Sequence, residues 1–197
     1  MTVQVPEIKI NENVNLNSKE SAVIVVDMQN DFCDPKGSLY VPESRKTIEP
    51  IMKLLEKARD KNVKIFYTQD THQKDDKEFE IWPVHVVEGT WGWEIIPELK
   101  PKEGDIIIRK LRYDGFYGTS LDHYLKIYKI NNVVIVGTVA NICVLHTAGS
   151  AALRWYNVIV PIDGISALNE FDYYSALRQI EFLYRGILTK VEYINFN

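Results

Sequence analysis

The stretch Val133-Val134-Ile135-Val136-Gly137-Thr138-Val139-Ala140-Asn141-Ile142-Cys143 runs into a segment rich in small residues, Ala148-Gly149-Ser150-Ala151-Ala152. Four apolar β-branched residues closed by a glycine predict a strand buried on both faces. The small side chains of Ile142–Trp155 predict a helix that packs closely on a sheet. Similar apolar runs lie at Ala22–Val26, Val63–Tyr67, Asp105–Ile108, Val158–Ile162 and Ile187–Ile194, each bounded by polar or turn residues. Between most of them the period is helical. Ile48, Ile51, Leu54, Leu55 and Ala58 share one face of a helix over Thr47–Arg59, capped by Thr47, with Pro50 tolerated in its first turn. Thr119–Ile130 opens on a capping-box pattern, and Asn169 can cap a helix carrying Tyr173, Leu177, Ile180 and Tyr184 that Gly186 ends. This alternation predicts an α/β fold of three layers, one mainly parallel sheet covered on both faces.

Length and composition narrow the classes. A chain of 197 residues fits one domain with its own core, so no staples are needed. Residues 1–20 read as an N-terminal arm, Met1–Asn17 loosely attached, ahead of a single domain over 21–197. Two cysteines 110 positions apart form neither a disulfide framework nor a Cys-rich zinc site, which points to free thiols in a reducing compartment. A net charge of −4 without a basic run argues against nucleic acid as a partner. The apolar runs are too short for a membrane span, and Met1–Glu20 lacks the apolar core of a secretion signal, so the expected location is the cytoplasm. No Gly-x-Gly-x-x-Gly turn follows the first strand, which disfavours a nucleotide cofactor.

Parallel α/β sheets bind ligands beyond the carboxyl ends of their strands. Asp27, Asp70, Lys110 and the Gly137–Cys143 turn all fall there. A cysteine at a helix start, a lysine to favour its thiolate and a carboxylate to take its proton make a nucleophilic set, and the turn can aim backbone amides at an oxyanion. Each residue alone reads equally well as a solvated strand end, a surface charge or an inert thiol. His146 is a competing base for Cys143, but its i,i+3 position points it back along the helix, as a packing or surface residue. Asp70 and His72 share a strand face, and His85 can return across the loop to complete two imidazoles and one carboxylate, a pattern of catalytic metal sites; a solvated loop with two stray histidines reads the same residues otherwise. Thr71–Gly104 has no clear period, yet it holds Trp82, Trp91 and Trp93, which marks it as a pocket roof.

Several segments together resemble the isochorismatase-like cysteine hydrolases, and within them the nicotinamidases: Val25-Val26-Asp27-Met28-Gln29-Asn30-Asp31-Phe32, Thr68-Gln69-Asp70-Thr71-His72, Trp82-Pro83-Val84-His85, Lys110 with Gly115–Leu121, and Gly137–Ala148. The likeness runs from about Ser21 to Asn195. It implies a six-stranded sheet in the order 3-2-1-4-5-6 and a catalytic triad of Asp27, Lys110 and Cys143. It also implies a cis peptide between Val139 and Ala140, with the amides of Ala140 and Cys143 as oxyanion hole. Metal ligands Asp70, His72 and His85 would hold one divalent ion, zinc first, with iron, manganese or magnesium as alternatives. Phe32 and Trp82 match positions whose rings flank a pyridine.

The implied activity is hydrolysis of nicotinamide to nicotinate and ammonia through a cysteine thioester, in a homo-oligomer whose partner is a small amide. The short charged stretch Gln73–Glu80 leaves the reach of His85 open, and Asn141-Ile142 departs from the usual polar-aromatic pair before the nucleophile. The same triad would serve an N-carbamoyl or other small amide or ureide substrate. A non-catalytic module for oligomerisation or ligand binding is the alternative of a different class. Cys33 matches no functional position.

Overall fold

Period-two burial builds the centre of the molecule. In β2 (Ser21–Val26) and β5 (Asn132–Thr138), Ala22, Ile24, Val26, Val133 and Ile135 enter one apolar layer while Val23, Val25, Val134 and Val136 enter the other. The computed structural model, which describes residues 6–197, arranges these with β3 (Lys64–Asp70), β4 (Ile106–Lys110), β6 (Asn157–Pro161) and β8 (Ile187–Thr189) in the parallel order β4-β3-β2-β5-β6-β8. Numbered without the short strands, that is the expected order 3-2-1-4-5-6. The sheet has a seventh member, because β7 (Ile165–Ser166) pairs beside Gly137 and Thr138 after β6 has left the edge of β5.

After a short helix α1 (Asn30–Cys33), helix α2 (Ser44–Asp60) covers one face with the five apolar residues expected of it, of which each isoleucine and leucine contributes roughly 1.5–3 kcal/mol on full burial. Its start differs from the expected one. The chain turns at Val41, whose carbonyl accepts from Ser44, so the helix begins three residues before Thr47 and Pro50 lies in its interior. A proline there costs about 3 kcal/mol, which the buried face offsets. Thr47 Oγ1 is buried and donates to the Ser44 carbonyl instead of capping.

Helices α3 (Leu121–Ile127), α4 (Leu145–Leu153) and α5 (Glu170–Phe182) cover the other face. Asn169 caps α5 as expected, accepting from the Asp172 amide at 2.9 Å. Ala148 and Ala151 sit in the core under α4, and Gly149 lies so close to Tyr184 that a Cβ would meet its hydroxyl at 2.7 Å.

Where it is described, the arm is attached rather than loose. Its first five residues lie outside the described residues, but β1 (Val14–Leu16) pairs in parallel with β9 (Ile194–Phe196) and buries Val14, Leu16 and Phe196 beside α2. The last apolar run is therefore two strands, β8 and β9, rather than one. The roof segment after β3 is likewise built, from short 3₁₀ turns at Lys77–Glu80, Trp91–Trp93 and Pro97–Leu99. Among the described residues no helix is long and apolar enough to cross a membrane.

Candidate active site

Strand ends deliver the charged groups. Asp27 follows β2, Asp70 and Lys110 close the neighbouring strands β3 and β4 as a register pair, and β5 leads through Val139 into a wide turn, Ala140–Val144, that carries Cys143. Gly137 is required just before that turn: its φ is +116°, and a Cβ would fall 2.1 Å from the Val26 carbonyl oxygen. Asp27 itself takes a left-handed backbone, φ 49°, which turns its carboxylate out of the strand.

Lys110 Nζ stands at the centre, 2.8 Å from Asp27 Oδ2, 3.0 Å from Asp70 Oδ1 and 3.7 Å from Cys143 Sγ, with all four residues buried. Thr68 Oγ1 donates to the other Asp27 oxygen at 2.7 Å. Burial opposes the charge on Lys110, but the two carboxylates outweigh it and raise its pKa well above the ordinary value. Burial lifts the Asp27 carboxyl above its usual range despite Lys110. It lifts the Cys143 thiol well above its usual range too, with Lys110 pulling the other way. Lysine therefore favours the thiolate as expected, but burial wins at rest and the sulfur keeps its proton. Asp27 is within hydrogen-bonding reach of that proton.

Asp70 turns its second oxygen to the histidines, 3.3 Å from His72 Nε2 and 4.0 Å from His85 Nε2. Burial alone would raise this carboxyl, yet Lys110 and His72 hold it at about 2, so it is ionised. Asp70, His72 and His85 each place one ligand atom within 4.8 Å of the others, so the short Gln73–Glu80 stretch does not keep His85 away. His72 Nδ1 donates to Asp76 Oδ2 at 2.8 Å and His85 Nδ1 to the Pro83 carbonyl at 2.7 Å, which turns both Nε2 atoms inward. His72 Nε2 is fully buried with no hydrogen-bond partner among the described residues, an arrangement that a bound cation would satisfy. The donor set of two imidazoles and a carboxylate fits a divalent transition metal.

A cavity of about 260 Å³ opens onto both groups, lined by Asp70, His85 and Cys143 together with Phe32, Trp82 and Tyr113. Phe32 and Trp82 thus reach the same space, and the Phe32 ring meets His85 edge-on at 5.8 Å. Among the described residues no arginine lines this cavity, and its charged lining residues are Asp70 and Glu78.

One expected feature is displaced. The cis peptide joins Thr138 to Val139, not Val139 to Ala140. Val139 is still extended and Ala140 already opens the helical turn, so the 139–140 link belongs to the turn and stays trans. His146 is exposed, its Nδ1 donating to the Ile142 carbonyl at 2.7 Å, as expected of a residue that is not the base. Cys33 is buried near Met28, and burial pushes its thiol up to about 12.

Sequence reasoning missed the residues that hold this site together. Glu78, from the charged stretch, is buried with Oε1 4.0 Å from His72 Nε2 and Oε2 3.6 Å from Arg112. Gln29 exchanges two 2.8 Å hydrogen bonds with the Asp70 backbone. Asp31 accepts from the Val86 amide at 2.7 Å, next to His85, where Val86 has φ 37°, a strained value for a β-branched residue. Asp31 was visible only as part of a motif, without a task.

A family model described as "Isochorismatase domain" matches residues 21–192. The ureidoacrylate amidohydrolase of Agrobacterium fabrum is 33% identical over 176 aligned positions, covering 76% of this chain and 77% of its own. Among solved structures, N-carbamoylsarcosine amidase from Thermoplasma acidophilum superposes with a TM-score of 0.81 at 36% identity, covering 88% of this chain and 97% of its own. A pyrazinamidase of Pyrococcus horikoshii, in complex with zinc, gives 0.81 at 33% identity over 86% of this chain and 98% of its own.

Proposed function

The chain belongs to the isochorismatase family and is a hydrolase of amide C–N bonds, and we propose that it converts nicotinamide to nicotinate and ammonia through a thioester on Cys143. The observation that carries this reading is the meeting of two clusters in one small cavity. Cys143, backed by Lys110 and Asp27, and Asp70 with His85, backed by His72, reach the same cavity, which Phe32 and Trp82 also line.

Asp27 takes the thiol proton as Cys143 Sγ attacks the carboxamide carbon, and Lys110 stabilises the charge left in the buried cluster. The amides of Ala140 and Cys143 hold the tetrahedral oxyanion. Asp27 then protonates the departing ammonia, and a water activated by the same carboxylate cleaves the thioester to release the acid and restore the thiol. A divalent ion held by Asp70, His72 and His85, zinc being the first candidate, would supply a Lewis-acidic anchor for the ring nitrogen of the substrate. The working thiol has to stay reduced, which fits the cytoplasm. A homo-oligomer is part of the same reading.

A second reading keeps the chemistry and changes the substrate to an N-carbamoyl or ureido acid, favoured by likeness to the ureidoacrylate and N-carbamoylsarcosine enzymes. Among the described residues the side chains of the cavity offer no free cation to the carboxylate of a ureido acid, since the charged lining residues are Asp70 and Glu78 and Lys110 is committed to two carboxylates. In this second reading an ion on Asp70, His72 and His85 would have to meet that carboxylate instead of a ring nitrogen. Ammonia release against a panel of nicotinamide, pyrazinamide and ureido acids, with metal content measured on the same sample, separates the two. Preferential turnover of the ureido acids sinks the nicotinamide assignment.

A further inference from the structure

The cavity has a wall that no motif accounts for. Trp82 lies in an exposed part of the roof, between Ile81 and Pro83, with Val84 also turned to solvent. An indole has a single donor, and that of Trp82 goes to Tyr113 Oη at 2.8 Å. Tyr113 follows Lys110 by three residues, so it is tied to the rigid end of β4 rather than to the roof. The Tyr113 ring also packs on the His146 imidazole, centroids 5.7 Å apart, and His146 Nδ1 donates to the carbonyl of Ile142, the residue before the nucleophile. A continuous set of contacts thus runs from the roof tryptophan to the turn that carries Cys143.

We propose that Tyr113 is a positioning residue that fixes the plane of Trp82 for a flat aromatic amide, using its hydroxyl as acceptor for the indole N–H. The inference rests on the reading above that Trp82 flanks the substrate ring. Stacking needs the ring plane to be held in advance, since a rotamer ordered only on binding weakens affinity without touching the chemical step. Tyr113 therefore governs KM and leaves kcat to Asp27, Lys110 and Cys143.

The test uses the full chain with its metal, and Tyr113→Phe, which keeps the ring against His146 and removes only the acceptor. One lost hydrogen bond of ordinary strength predicts a KM for nicotinamide raised about fivefold, with kcat within about twofold of the unaltered protein. In a Trp82→Phe background the same substitution should change KM by less than about twofold, because the bond it removes is already gone. Independently of activity, the indole Nε1–H resonance of Trp82, assigned by its loss in Trp82→Phe, should move in Tyr113→Phe. An unmoved resonance, equal KM changes in both backgrounds, or an effect on kcat alone overturns the assignment. If the unaltered protein hydrolyses no aromatic amide, the functional reading fails instead, and the resonance still reports whether the bond exists.

Discussion

Two clusters share Asp70, and they are finished to different degrees. On the Lys110 side the charges face one another within the protein: one ammonium lies 2.8 and 3.0 Å from two carboxylates, and Thr68 donates to the remaining Asp27 oxygen. On the histidine side the outer nitrogens are pinned by Asp76 and Pro83, but His72 Nε2 faces inward with no hydrogen-bond partner among the described residues. The first cluster is arranged to move a proton within itself. The second is arranged to receive something. A single carboxylate, Oδ1 to Lys110 and Oδ2 to the histidines, joins the two clusters and so fixes the spacing between Cys143 and the proposed metal site.

The largest way to break this division is at the sulfur. Cys143→Ala should lower ammonia release on the order of 10³-fold or more while metal content is unchanged. Retained turnover would remove the nucleophile from the account. Lys110→Met leaves two buried carboxylates without their cation and should destabilise the fold by about 3–5 kcal/mol, read from urea unfolding. A variant as stable as the parent would mean that the cluster is not charged as described.

On the histidine side, Asp76→Asn should weaken divalent-metal affinity roughly 10–100-fold by freeing His72 Nδ1, measured by competition with a chelating dye. The pH profile sharpens the Lys110 side. In the proposed mechanism Asp27 works as carboxylate, and burial raises its pKa above 3.8, so kcat/KM should fall as pH drops, with a midpoint above that value. A midpoint below 3.8 contradicts the burial argument. The smallest effect belongs to the other thiol: Cys33→Ala should change activity by less than twofold and stability by about 1 kcal/mol.

How much of this was legible in the chain depends on whether neighbours in space are neighbours in sequence. Strand-end positions are local, so Asp27, Asp70, Lys110 and Cys143 could be placed on one edge from the β-α-β rhythm alone, and Asn169 is a cap that reads three residues ahead. Glu78, Gln29 and Tyr113 act across 6, 41 and 31 positions, on His72, Asp70 and Trp82; Gln29 lies in a quoted motif but without a task, and nothing in their surroundings in the chain marks the other two. The pairing of β1 with β9 joins opposite ends of the chain and is invisible to any local period. Pro50 misled for the opposite reason: a strong local rule placed the helix start beside it, and the buried face of α2 overrode the rule.

The most direct test of the account is to trap the covalent intermediate. The protein is mixed with nicotinamide, quenched in acid within milliseconds, digested and analysed by mass spectrometry. The account predicts a nicotinoyl adduct on the peptide containing Cys143, absent from Asp27→Asn, whose thiol has no base. Ammonia released at the full rate with no adduct at Cys143 would contradict it.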